Sequence, residues 1–103
     1  MKTKWHPKAR ASYHQVARYI NSKFGRQARK DFIQRVKTTE NQLKRSPDIG
    51  QIDPLFEERA KTYRSVIING LNKLVYFVKD DTIYIAGFWD TRMDGEDQAA
   101  QVK

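Results

Sequence analysis

The stretch YRSVIINGLNKLVYFVKDDTIYIAGFW, residues 63–89, decides the fold. Three runs rich in β-branched and aromatic residues, Tyr63 to Ile68, Lys73 to Val78 and Thr82 to Trp89, are separated by Asn69-Gly70-Leu71-Asn72 and by Asp80-Asp81. Spacers this short and this polar are hairpin connections, so the stretch predicts a three-strand antiparallel meander. Leu74-Val75-Tyr76-Phe77-Val78 is apolar on both faces. One face must therefore pack on the rest of the chain, and the other must be partly covered or sticky. Trp89 continues the alternation of Ile83, Ile85 and Gly87, which makes it an expected core anchor beside them.

Upstream of the meander, Ser46 to Pro54 carries Pro, Gly and Asp in turn-forming density and reads as a loop. Before that loop the period changes from two to about 3.6. Ala9, Tyr13, Val16, Ala17, Ile20 and Phe24 share one helical face, with Pro7 suited to the first turn and Gly25 to the residue after the last. Ala28, Phe32, Val36 and Leu43, with Ile33 beside them, mark a second helix that Ser46-Pro47 stops. A link this short forces the two helices antiparallel. Lys2 to His6 adds a candidate edge strand. The expected fold class is α+β, a helix hairpin packed on a small, mostly antiparallel sheet in the order β-α-α-β-β-β.

At 103 residues the chain has room for one two-layer core, and residues 1–103 read as one domain with a loose polar tail from Met93 onward. There is no cysteine, which removes disulfides, thiolate zinc sites and cysteine nucleophiles together. His6 and His14 have no ligand cluster near them; no metal and no cofactor is expected. His6 reads as a strand-to-helix junction residue and His14 as an exposed helix residue. Neither a secretory signal nor a membrane helix is apparent, so a cytoplasmic location is expected. The net charge of +8 divides unevenly. Residues 1–46 hold 13 Lys plus Arg and two acids, whereas residues 47–103 hold seven bases and ten acids. The basic character belongs to the helix hairpin, whose surface faces either a polyanion or a partner protein.

Several marks occur in series: Trp5 with Pro7 and Ala9, Tyr19-Ile20 before Phe24-Gly25, Ala28 with Phe32, and Leu43 with Pro47-Asp48-Ile49-Gly50. Tyr63-Arg64-Ser65, Lys73-Leu74-Val75-Tyr76 and Phe88-Trp89-Asp90-Thr91-Arg92-Met93-Asp94 follow. Taken in order, over roughly residues 3 to 94, this series resembles the RelE/ParE toxins of bacterial type II toxin–antitoxin systems. The resemblance implies a growth-inhibiting toxin held inactive by a cognate antitoxin, in a toxin–antitoxin hetero-oligomer. RelE-like members cleave mRNA on the ribosome; ParE-like members poison DNA gyrase and are not nucleases.

Metal-free RNA cleavage needs a base, an acid for the leaving oxygen and a cation for the developing charge. Following the resemblance, Arg64 and Arg92 are the candidate cations, and Lys61 and Glu58 the candidate bases. Each also has a plain surface reading. The histidine-tyrosine acid found at the end of some RelE-like members has no counterpart after Trp89. The segment Trp89-Asp90-Thr91-Arg92 resembles the place where ParE-like members carry a histidine and paired arginines, with Asp90 departing from that pattern. This leans the reading towards gyrase. A non-toxic module that binds nucleic acid through the basic hairpin is the alternative from another class. The candidate binding residues are Arg18, Arg26, Arg29 and Arg35 on the helices, and Lys73 and Trp89 on the sheet. Lys73, at the head of its strand, reads equally well as an edge blocker.

Overall fold

A computed structural model describes residues 1–91 and residue 102. The chain begins with strand β1 (Lys2–Trp5), followed by helices α1 (Pro7–Phe24) and α2 (Arg26–Arg45). Strand β2 (Gln51–Ile52) and a 3₁₀ turn (Pro54–Phe56) come next, and the meander of β3 (Arg64–Ile68), β4 (Asn72–Lys79) and β5 (Thr82–Asp90) completes the sheet. The spatial order is β1-β5-β4-β3-β2. Every pairing is antiparallel except that of β1 with β5. The expected α+β architecture, its helix hairpin, the meander and the edge strand at the N-terminal end are all present.

Local chemistry explains the joints. His6 caps α1, its Nδ1 accepting the Lys8 N–H at 3.1 Å, and Pro7 occupies the first turn. Gly25 alone separates the two helices. Asp80 and Asp81 both take positive φ, 51° and 60°, and form the two-residue turn that matches strand twist between β4 and β5. Asn69 and Gly70 also take positive φ, 57° and 68°, in the three-residue connection completed by Leu71 between β3 and β4.

The helix pair covers one face of the sheet. Ala9, Ala17, Phe32, Val36 and Leu43 meet Ile68, Leu74, Tyr76, Ile83, Ile85 and Phe88 in one core. Phe88 stands edge-on to Tyr13 and Phe32, with ring centroids 5.6 and 6.0 Å apart. The other face carries a smaller cluster of Phe56, Tyr63, Val75, Trp89 and Val102. The segment between β2 and β3 folds over this face, which provides the partial cover that the doubly apolar β4 required. Val102 is buried there, and the Arg59 guanidinium donates to its carbonyl at 2.6 Å. The remainder of the expected tail, with Arg92, lies outside the described residues.

Three expectations change. The loop before the meander contains the short strand β2, paired to β3 through Gln51 with Ser65 and Ile52 with Arg64. Phe24 does not join the core: it is 68% exposed at the end of α1. Trp89 is buried, but on the opposite face from Ile83 and Ile85. The cause is a bulge. Val75 pairs with Gly87 and Tyr76 with Ile85, so Ala86 is an extra residue and the alternation reverses beyond it.

Candidate functional site

Arg64 and Lys61 were expected to serve one centre, and the sheet separates them. Arg64 pairs across the strands with Tyr76, which lies in the helix-side core. Its guanidinium turns to the preceding loop and donates to the Gly50 carbonyl at 2.8 Å and to the Asp48 carbonyl at 3.4 Å. The Asp48 carboxylate lies 3.9 Å away. Lys61 belongs to the other face, its ammonium 4.4 Å from the centroid of the Phe77 ring. Glu58 is exposed beyond the 3₁₀ turn. Among the described residues, the candidate cation and the candidate bases therefore do not converge on one phosphate-sized space.

Tyr76 completes the grip on the same loop. Its hydroxyl donates to the Pro47 carbonyl at 2.6 Å and accepts the Gly50 N–H at 3.0 Å, and the residue is fully buried. Together Arg64 and Tyr76 fix residues 47–50 to the sheet. In the sequence Tyr76 stands only as part of the doubly apolar run Leu74 to Val78, with no signal for this role, because its partners lie 26 and 29 residues away.

Burial pushes the Tyr76 phenol above its ordinary pKa of 10.0, against the opposing pull of the Gly50 hydrogen bond and the Arg64 charge. Tyr13 is raised as well, first by burial and then by Glu40. The folded chain thus keeps protons at a pH where the unfolded chain has released them. This stability is present below pH 10 and is lost as pH rises through the folded values. Tyr76→Phe should cost about 1–3 kcal/mol at neutral pH, since the Gly50 N–H and the Pro47 carbonyl both lose their partner. It should also flatten the fall of stability above pH 10. Urea unfolding of both proteins across that range measures the two effects.

Lys73 is not an edge blocker. It sits on β4, between β3 and β5, and its ammonium lies 2.5 Å from Oδ2 of Asp53. Asp53 is buried, and its other oxygen caps the 3₁₀ turn by accepting the Leu55 N–H at 3.0 Å. Asp53 was read only as a loop residue; Asp followed by Pro at a turn start was the available signal.

On the free side of the sheet a cavity of about 450 Å³ is lined by Trp5, Tyr63, Phe77 and Tyr84, with Lys4, His6 and Lys61 also in its wall. Phe77 and Tyr84 stack at 5.0 Å. A second groove, of about 520 Å³, runs past the exposed Tyr19, Phe24 and Leu71. Arg18, Arg26, Arg29 and Arg35 are all exposed on the hairpin, whereas Trp89 is a buried packing residue. Among the described residues no group of three His, Cys, Asp or Glu could hold a metal ion, and no helix is long and apolar enough to cross a membrane.

Over residues 3–95 the sequence matches the family model described as ParE toxin of type II toxin–antitoxin system, parDE. Among solved structures, a chain of the chromosomal ParDE toxin–antitoxin system from P. aeruginosa is similar at a TM-score of 0.69 and 19% identity. The likeness covers 87% of this chain and 95% of that one, and it concerns the fold. No curated protein sequence matches the chain significantly.

Proposed function

Since the chain belongs to the ParE toxin family of type II toxin–antitoxin systems, we propose that it inhibits growth by acting on DNA gyrase and is held inactive by a cognate antitoxin. The observation that carries the choice of target is the separation of Arg64 from Lys61 by the sheet. A metal-free ribonuclease must gather base, acid and cation around one phosphate. Here the guanidinium best suited to a phosphate is instead committed to the backbone of residues 48–50. The groove beside Tyr19, Phe24 and Leu71 supports an antitoxin, because exposed large apolar side chains grouped along one groove favour a protein partner.

Two assays run together test the target. Purified protein should inhibit supercoiling by gyrase from its host and accumulate cleaved DNA, while a translating extract should show no codon-phased mRNA cuts. Unaffected gyrase together with phased cuts that vanish in Arg64→Ala would replace this reading with the mRNA endonuclease.

A further inference from the structure

All thirteen Lys and Arg residues in the segment 1–46 are exposed. The same segment holds two acids, and neither forms an ion pair within it: Asp31 accepts a hydrogen bond from Gln27 at 3.0 Å, and Glu40 one from Thr3 at 3.2 Å. The ion pairs among the described residues, Arg64 with Asp48 and Lys73 with Asp53, both lie in the second half of the chain. The positive charge of the hairpin is therefore turned outward, exceeds that of its two acids, and is not tied up in ion pairs.

Part of it is ordered along α2. At 100° per residue, Arg26, Lys30, Lys37 and Lys44 fall within an arc of about 40°, roughly 80–160° round the helix from the buried Phe32, Val36 and Leu43, with the half-buried Ile33 and Glu40 along one border of the arc. From first to last this row runs roughly 27 Å at 1.5 Å per residue. One turn of duplex DNA is about 34 Å. The large apolar residues that stand exposed in this half of the chain are Met1, Tyr19 and Phe24, and none of them is on α2. A protein interface draws most of its energy from buried anchors, which the row lacks. A phosphate backbone needs only positioned cations.

We propose that the outer face of α2 seats the phosphate backbone of duplex DNA, through the row Arg26, Lys30, Lys37 and Lys44. Binding is electrostatic and independent of base sequence. It stands apart from the choice of gyrase as target, though it would bring the toxin onto the substrate of that enzyme.

The test is fluorescence anisotropy of a labelled mixed-sequence duplex with the full chain, over a series of salt concentrations. Two charge-matched triple variants are compared: Lys30→Glu/Lys37→Glu/Lys44→Glu on the row, and Lys2→Glu/Lys61→Glu/Lys79→Glu away from it. All six positions are exposed, and circular dichroism verifies that both variants fold. The row variant should bind at least tenfold more weakly, and its slope of log K against log salt should be shallower by about 3, close to 0.9 per lost phosphate contact. The other variant should stay within about threefold of the parent. Equal weakening by both variants, or no effect of the row, overturns the proposal. So does displacement of the duplex by polyglutamate at matched charge concentration, which would mark the row as a seat for an acidic protein. The supercoiling assay reads none of these quantities, so either reading can fail alone.

Discussion

Lys73→Met is expected to destabilise the protein by roughly 3 kcal/mol, the low end of the cost of breaking a buried ion pair from one side. The ammonium is the charge partner of Asp53 Oδ2 at 2.5 Å, and Asp53 is only 3% exposed. Removing the lysine leaves a buried carboxylate beneath the 3₁₀ turn without this charge partner. Methionine keeps the length of the side chain, so the loss reports charge rather than volume. The companion Lys73→Met/Asp53→Asn should recover much of the stability, because the amide retains an acceptor for the Leu55 N–H and carries no charge. Urea midpoints at neutral pH give both numbers. If the double variant is no better than the single one, the lysine acts through packing and the ion-pair account fails.

Trp89→Ala should cost about 3–5 kcal/mol, as expected for a large aromatic residue removed from a packed cluster. The ring lies back over Gly87, two residues before it on the same face, and a Cβ built on Gly87 would fall onto the six-membered ring. Gly87→Ala should therefore cost about 1–3 kcal/mol by overpacking. The pair makes a double-mutant cycle with a definite sign. Once the ring is gone the added methyl has space, so Gly87→Ala/Trp89→Ala should be no less stable than Trp89→Ala alone. Additive losses in chemical denaturation would place the strain of Gly87→Ala in the backbone of the bulge instead.

Much of the architecture was legible because it is periodic. The stripe of Ala9, Tyr13, Val16, Ala17 and Ile20 and the runs on either side of Asp80-Asp81 each repeat with the period of the element they form. What escaped reading is what breaks a period or joins distant segments. Ala86 leaves no mark in the pattern, yet by bulging it moves Trp89 to the other face. Lys73 finds Asp53 twenty residues upstream. Tyr76 and Arg64 find the loop at 47–50, so a guanidinium that looked available for phosphate is bound to carbonyl groups. The charge of the hairpin was countable from the sequence. Its freedom from ion pairing was visible only in the fold.

The parallel pairing of β1 with β5 has a kinetic consequence. Lys2 meets Thr82 and Trp5 meets Ile85, so each matched pair is separated by 80 residues of chain. During synthesis the first strand leaves the ribosome long before its partner exists, and the sheet cannot close until the final hairpin has emerged. Closing so large a loop late makes the ordering of β1 a slow, non-local step. The nascent chain thus passes through an interval in which α1 and α2 can already form while the N-terminal edge strand still waits for its neighbour.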